Sequence, residues 1–192
     1  MSTDLSEGWD DAAERFMAVR SAIGAGLVRS WAREHLPPGS TIVDVGCGSG
    51  MPIAEGLIDD SFAVSGIDAS PTLTAAFHAR FPDAPVATEA AQDSRFFDRY
   101  FDAVISIGLL FLLSEDQQRA VIARVAQALN PGGRFLFSAP LQVCEWPDSL
   151  TGRRSVSLGR NTYARLLDIN GLRLMGCLCD EGENNYYDAV KA

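Results

Sequence analysis

The chain has 192 residues, and its 16 Lys plus Arg against 25 Asp plus Glu give a formal net charge of −9. This length is typical of one domain, and a hydrophobic content of 47% excludes an intrinsically disordered protein. An acidic surface repels polyphosphate, and the sequence has no concentrated basic patch. We therefore expect a single domain, residues 1–192, with no nucleic-acid partner.

The amino-terminal and cysteine patterns bear on location and metal binding. Residues 1–7 are polar and acidic, unlike a signal or transit peptide. The most apolar stretch, residues 103–113, is far shorter than the roughly 20 residues that span a bilayer. The four cysteines form no CxxC pair, which disfavours a zinc site. These patterns predict a cytoplasmic protein with reduced thiols, no metal and no membrane contact.

Apolar periodicity predicts one long helix from about Asp10 to His35 at the start of the chain. Its apolar residues recur at spacings of three and four, which is typical of one buried helix face. They are Phe16, Val19, Ile23, Leu27 and Trp31. The Pro-Pro-Gly sequence at residues 37–39 ends this helix. We treat residues 1–39 as a helical cap on a core of residues 40–192.

Strands and helices then alternate along the chain. Strands are predicted near residues 41–45, 62–67, 85–88, 101–107 and 134–138, and two more at 172–179 and 186–191. Helices begin after the N-cap residues Ser70 and Ser114. Residues 139–159 are predicted to be a long irregular connection. This alternation indicates an α/β doubly wound sheet, whose ligands bind at the carboxyl ends of the strands.

Candidate ligand-binding groups follow the first three predicted strands. A glycine-rich loop, residues 46–50, follows the first strand, and the second strand ends at Asp68. Asp93 and Ser94 follow the third. Glycines let a backbone pass close under a ligand, and a carboxylate after the second strand can accept both hydroxyls of a ribose. Asp93 and the Ser94 N–H suit an adenine amino group and ring nitrogen.

Two nucleotide-binding interpretations compete for the glycine-rich loop. A dinucleotide fingerprint counted from Gly46 needs its third glycine where the chain has Met51. The third glycine is instead Gly50, and Asp44 stands two residues before the loop. A carboxylate is unfavourable beside a pyrophosphate, whereas it suits an ammonium group. The pattern therefore disfavours a nicotinamide-dependent oxidoreductase.

Four motifs in chain order resemble those of the class I S-adenosylmethionine-dependent methyltransferases, especially small bacterial members acting on small molecules. They are residues 43–50 (VDVGCGSG), 66–70 (GIDAS), 101–106 (FDAVIS) and 129–134 (LNPGGR). The resemblance implies a Rossmann-like, mostly parallel sheet of seven strands in the order 3-2-1-4-5-7-6, with the last strand antiparallel. It also implies a transferase that uses S-adenosylmethionine and releases S-adenosylhomocysteine.

The resemblance also implies roles for individual residues. Asp44 and the loop would hold the methionine part of the cofactor, Asp68 the ribose, and Asp93 with Ser94 the adenine, on which Ala69 would pack. Arg20 would pair with the cofactor carboxylate, and Ser106 would lie beside the methyl group. The full set expected at the cofactor is Arg20, Asp44, Gly46, Cys47, Gly48, Gly50, Asp68, Ala69, Asp93, Ser94 and Ser106.

In this family the acceptor pocket forms from the amino-terminal helix and the loops after strands four and five. The residues expected to line it are Trp9, Phe16, Leu110, Phe111, Trp146 and Tyr186. The expected reaction is an in-line displacement onto a nitrogen, oxygen or sulfur atom of a small molecule. The catalytic residues are unknown, because the sequence offers no obvious general base. The acceptor and the oligomeric state also stay open.

Two other interpretations compete with the small-molecule enzyme. The absence of an obvious base leaves room for a non-catalytic domain that binds S-adenosylmethionine or S-adenosylhomocysteine as a sensor or regulatory partner. A protein side chain is a further acceptor class, which an extended acidic groove would favour over an enclosed apolar pocket. The basic pair Arg153–Arg154 fits either a solvated loop or a site that receives an anionic acceptor, and the solvated loop is the favoured interpretation.

Overall fold

A computed structural model describes residues 4–192 of the chain. Nine strands occur in the described part. They are β1 (Thr41–Val45), β2 (Ala63–Asp68), β3 (Val86–Thr88), β4 (Phe101–Ser106), β5 (Leu129–Ser138), β6 (Val143–Pro147), β7 (Arg154–Leu158), β8 (Leu172–Cys179) and β9 (Asn185–Lys191).

Six α-helices and two short 3-10 turns, Phe96–Asp98 and Leu110–Leu112, connect these strands. The helices are α1 (Trp9–Val19), α2 (Ala25–His35), α3 (Ile53–Asp59), α4 (Pro71–Arg80), α5 (Glu115–Ala128) and α6 (Arg160–Ile169). No helix in residues 4–192 is long and apolar enough to cross a membrane.

Seven strands form one sheet in the order β3-β2-β1-β4-β5-β9-β8. The first five of these pair in parallel, and β9 runs antiparallel to both β5 and β8. Apart from the separate β6–β7 hairpin, this is the predicted doubly wound order with an antiparallel last strand, so the fold prediction is confirmed. The carboxyl ends of β1, β2 and β4 meet at one edge of the sheet, where the order reverses.

The central strands are buried on both faces because helices cover both sides of the sheet. Ile42, Val43, Ile105 and Val104 have no exposed surface. Helices α2 and α3 pack on one face and α5 and α6 on the other. Continuous apolar runs are therefore required in β1 and β4.

The predicted helix starts at Ser70 and Ser114 are both confirmed. The Ser70 hydroxyl accepts a hydrogen bond from the Leu73 N–H at 3.1 Å, with Pro71 at the first helical position. Ser114 and Gln117 form a reciprocal capping box, each side chain accepting from the other's backbone N–H. These bonds satisfy N–H groups that have no partner inside the helix.

The single amino-terminal helix predicted from about Asp10 to His35 is wrong, because the chain forms α1 and α2 with a break between them. Gly24 has φ +82°, and a Cβ there would lie 2.1 Å from the Tyr186 hydroxyl. The break turns Val19 and Ile23 towards solvent, with 64% and 41% of their surface exposed. They do not belong to a common buried stripe.

The irregular connection predicted for residues 139–159 is also corrected. Residues 143–147 and 154–158 form the antiparallel hairpin β6–β7, a second, two-stranded sheet. Trp146 lies on β6, and its ring contacts that of Phe111 at a centroid distance of 5.4 Å. The hairpin escaped notice because β6 has only partly buried or exposed residues and therefore lacks an apolar run.

We expect Gly24→Ala to destabilise the protein by about 2–4 kcal/mol, because the new Cβ meets Tyr186 and the left-handed backbone becomes strained. Chemical denaturation measures this loss. Gly26→Ala is the matched control: Gly26 lies inside α2 with open space around it, so alanine should stabilise by about 0.5–1 kcal/mol. Equal effects of the two variants would contradict the interpretation of Gly24.

Candidate active site

The glycine-rich loop connects β1 to α3 and is tied to the neighbouring strand β2. The N–H groups of Gly46 and Cys47 both donate to the Ile67 carbonyl, at 2.8 and 3.1 Å. Gly50 has φ +82°, and a Cβ there would approach the Phe81 ring to 2.6 Å. Only glycine therefore fits this position, and the backbone of the loop lies at the carboxyl end of β1.

Asp68 is the last residue of β2 and fixes the loop from the other side. Its carboxylate accepts from the N–H groups of Gly48 and Ser70, both at 2.9 Å. Burial raises the pKa of Asp68, while these backbone bonds act in the opposite direction. The side chain is thus a buried hydrogen-bond acceptor held at a fixed place beside the loop.

Asp44 lies in β1, two residues before the loop, and only 2% of it is exposed. Burial raises its pKa to about 7, Arg20 lowers this value through its positive charge, and Asp68 raises it. A buried carboxyl with this pKa is half ionised near neutral pH, and a bound cation would stabilise its charged form. Strong perturbation of this kind is typical of functional sites.

A narrow cavity of about 90 Å³ lies over the ends of β1, β2 and β3. Gly46, Asp68 and Ala69 line it, followed by residues 89–92 and the segment after β4. Its remaining walls are the amino-terminal residues Leu5–Trp9, which we call the strap, and the β6–β7 hairpin. It combines a fixed carboxylate with apolar walls, which suits a nucleoside.

Asp93 and Ser94 are not brought to this cavity, which corrects their assignment. Asp93 is exposed, and the Ser94 hydroxyl is used inside the fold, where it donates to Glu89 at 2.5 Å and accepts from the Phe96 N–H. The carboxylate that lies directly after β3 and on the cavity wall is Glu89. Because β3 is only three residues long, its sequence pattern did not define where it ends.

A wider cavity of about 560 Å³ adjoins the strap and α1. Five of the six residues expected at the acceptor lie on its walls: Trp9, Phe16, Phe111, Trp146 and Tyr186. Leu110 is instead fully buried in the core beneath, which corrects its assignment. Arg20 also lines this cavity, and its positive charge acts on Asp44.

Ser106 and Cys47 pack inside the fold and support the backbone around the site. The Ser106 hydroxyl is fully buried and donates to the Val45 carbonyl at 3.0 Å, which ties β4 to β1. Cys47 is buried, and its sulfur lies where a Cβ on Gly66 would be only 2.7 Å away. Burial raises the pKa of the Cys47 thiol, so this cysteine stays protonated.

Two carboxylates that sequence reasoning missed hold the strap and α1 over the site. Asp10 accepts from the Ser70 hydroxyl at 2.5 Å and from the Thr72 N–H at 2.9 Å. Glu7 accepts from the Gln117 amide at 2.7 Å and pairs with Arg153 at 2.6 Å. These bonds join residues 60 or more positions apart, so no local pattern could have revealed them.

Ser155 on β7 is a further residue that the sequence did not single out. It is 1% exposed and lines the narrow cavity. Among residues 4–192, nothing forms a hydrogen bond with its buried hydroxyl. A buried hydroxyl without a partner is costly, so this group is available to a ligand that enters the cavity.

Comparison with known proteins identifies the class to which this fold belongs. The structure of an S-adenosylmethionine-bound amino pentose methyltransferase, CalS10 of Micromonospora echinaspora, superposes with a TM-score of 0.73. The match covers 95% of this chain and 96% of that one at 18% identity. The sheet is therefore that of the Rossmann-like class I methyltransferases, as the sequence motifs predict.

Residues 42–133, slightly less than half of the chain, match the family model described as a methyltransferase domain. The cypemycin N-terminal methyltransferase of Streptomyces sp is 33% identical over 130 residues, covering 65% of this chain and 52% of that protein. The carboxy-S-adenosyl-L-methionine synthase of Chromohalobacter salexigens is 35% identical over 123 residues, covering 59% and 44%. The chain thus spans about half the length of these relatives. Others are probable tRNA methyltransferases.

Replacing Asp44 by asparagine is expected to stabilise the ligand-free protein more at pH 8 than at pH 5. The folded-state pKa of about 7 exceeds the ordinary value of 3.8, so stability falls as pH rises between these values. Above pH 7 the buried charge persists, and its removal should gain about 2–4 kcal/mol. At pH 5 only the unfolded state is ionised, so less stability has been lost and the gain should be smaller, about 1–2 kcal/mol.

Chemical denaturation of Asp44→Asn at both pH values checks this expectation. Asp83→Asn is the control, because Asp83 is exposed and its loss should leave stability unchanged at either pH. A gain of equal size at pH 5 and pH 8 would show that burial of the Asp44 charge is not its cause.

Proposed function

We propose that the protein is an S-adenosylmethionine-dependent methyltransferase that acts on a small-molecule acceptor. One observation carries the proposal: Asp44 and Asp68 flank a single glycine-rich loop, the charge of Arg20 acts on Asp44, and a largely apolar cavity lies beside the loop. S-adenosylmethionine carries an ammonium, a carboxylate and a ribose diol, and each has a complementary group here. The methyltransferase relatives and the shared fold support the same assignment.

The residues present fit this cofactor. The Asp44 carboxyl, buried with no cation bonded to it, would bind the ammonium, and Arg20 would bind the carboxylate. Asp68 would accept both ribose hydroxyls, exchanging its bond from the Gly48 N–H for them. Ala69 and residues 90–92 would enclose the adenine, and Glu89 would accept from its amino group. The loop backbone would approach closely because its glycines carry no side chain.

When bound, S-adenosylmethionine supplies an electrophilic methyl group on a positively charged sulfur that leaves as a neutral thioether. The chain's own residues align the acceptor with the methyl group and exclude water. Trp9 and Phe16 on α1 cover the junction of the two cavities, and Gly108 lines both. An enclosed junction keeps the acceptor atom in line with the methyl group, and such positioning lowers the barrier.

A concave, aromatic-walled cavity with an open mouth supports a small molecule over a protein segment as acceptor, and over a sensor that needs no acceptor cavity. The net charge of −9 disfavours tRNA, the substrate named for two relatives, because an acidic surface repels the phosphate backbone. The proposal includes a cytoplasmic location, in keeping with four free cysteines. Nitrogen, oxygen and sulfur are the candidate acceptor atoms.

Isothermal titration with S-adenosylhomocysteine tests the cofactor assignment, with NAD titrated in parallel. We expect binding of S-adenosylhomocysteine alone. Asp68→Asn should weaken it by about ten- to a hundredfold, because one ribose hydroxyl loses its charged acceptor. Asp93→Asn, which removes an exposed carboxylate outside the cavity, should change the affinity less than about twofold. Binding of NAD instead, or of neither compound, would refute the proposal.

The affinity for S-adenosylhomocysteine should rise with pH, because Asp44 must be ionised to pair with the ammonium. With a free-protein pKa of about 7 for Asp44, the ionised fraction grows about tenfold between pH 6 and pH 8, and the association constant should follow it. Titrations across this range measure the slope. The Asp44→Asn variant should bind weakly and without this pH dependence. A flat profile in the unmodified protein would exclude Asp44 as the ammonium partner.

A further inference from the structure

The wider cavity has two aromatic pairs in its walls. On α1 the rings of Trp9 and Phe16 meet edge to face at a centroid distance of 5.9 Å. Phe111, after β4, and Trp146, on β6, meet at 5.4 Å. All four line the cavity. Such rings provide flat apolar contact area, and their faces attract positive charge.

The charges near this cavity select against an anionic acceptor. The basic pair Arg153–Arg154 lines the narrow cavity and not the wider one, and both arginines are already paired, Arg153 with Glu7 at 2.6 Å and Arg154 with Glu145. Arg20 lines the cavity, but the proposed function assigns it to the cofactor carboxylate. Among the described lining residues, the remaining charged side chain is Glu183.

Glu183 is held at the cavity by an ordered turn, residues 180–184. The Asp180 carboxylate accepts from the N–H groups of Gly182 and Asn184, at 2.8 and 2.9 Å, and from the Tyr186 hydroxyl at 2.8 Å. This turn gives Glu183 a left-handed backbone, φ +62°. Glycine and asparagine adopt that conformation at lower cost, so a glutamate here is kept in spite of its backbone.

The Glu183 carboxylate is available to a ligand. Within residues 4–192 it takes part in no ion pair. Tyr186 cannot act as a second anion in this cavity, because burial and its bond to Asp180 raise its pKa and keep the phenol neutral. The walls of the cavity therefore combine the solvent-exposed carboxylate of Glu183 with aromatic rings, a combination that recognises a cationic nitrogen.

We propose that the acceptor is an amine carried on a flat apolar body, and that Glu183 stabilises the positive charge that its nitrogen acquires. This rests on the proposed function. The amine first loses a proton to solvent at the open mouth. Its lone pair then forms the N–C bond while the C–S bond breaks, and that electron pair stays on sulfur. Positive charge thus passes from sulfur to nitrogen, towards Glu183, where a preplaced carboxylate lowers the barrier.

The test uses matched probes on a common skeleton with the full-length protein. They are 2-phenylethylamine, 2-phenylethanol, 2-phenylethanethiol and phenylacetate, and the same four groups on an indole body. Binding to the protein saturated with S-adenosylhomocysteine is measured by calorimetry, and methylation by release of S-adenosylhomocysteine from S-adenosylmethionine. We expect the amines to bind and react at least about tenfold better than their isosteres.

Glu183→Gln should reduce this amine preference by about tenfold or more and leave the affinity for S-adenosylhomocysteine within about twofold. Glu183→Asn tolerates the left-handed turn and should behave alike, which separates loss of charge from loss of fold. Glu14→Gln, an exposed change on α1, is the control and should keep the preference.

Different outcomes overturn different statements. If no amine is bound or methylated, or if an alcohol, thiol or carboxylate does as well, the amine acceptor is wrong while the cofactor assignment stands. An amine preference that survives in Glu183→Gln overturns the role of Glu183. If the unmodified protein fails to bind S-adenosylhomocysteine, the proposed function itself fails, and this inference with it.

Discussion

Two carboxyl groups at the ends of neighbouring central strands, Asp44 buried and Asp68 partly buried, are the constraint around which this site is built. Asp44 and Asp68 each raise the electrostatic cost of ionising a neighbouring group, and burial raises the pKa of both. A backbone N–H group of the loop donates a hydrogen bond to Asp68 and so offsets part of the cost of ionising its carboxyl group. Among residues 4–192, the positive charge of Arg20 is the one that lowers the pKa of Asp44. The environment of Asp44 favours a bound cation over an empty site. The cost is a lower stability of the ligand-free protein.

The same constraint explains the position of α1. Arg20 follows the last residue of this helix, so the helix must lie against the sheet edge for its charge to reach Asp44. Asp10, near the start of α1, secures it by accepting two hydrogen bonds at the amino end of α4. The helical cap and the core are thus coupled electrostatically: Arg20 of the cap supplies positive charge to Asp44 of the core, and the amino end of α4 donates hydrogen bonds to Asp10 of the cap.

The parts predicted from sequence are those with a local physical cause. Continuous apolar runs define β1 and β4, serine caps define α4 and α5, and the direction of parallel strands brings Asp44, Asp68 and the glycines to one edge. The break at Gly24 could not be predicted, because the spacing of apolar residues continues across it. The position of Glu89 could not be predicted because β3 is short. The β6–β7 hairpin could not be predicted because its residues are half exposed. Contacts such as Asp10 with Ser70 depend on the finished fold.

Trp9 lies on the walls of both cavities, and this shared wall has a consequence for how two ligands bind. A ligand that fills the narrow cavity fixes the strap and with it one aromatic face of the wider cavity. Thermodynamic linkage then requires each ligand to strengthen the other by the same factor. Under the proposed function, cofactor and acceptor would therefore bind as coupled ligands through the shared Trp9 wall, and the affinity of each would depend on the concentration of the other.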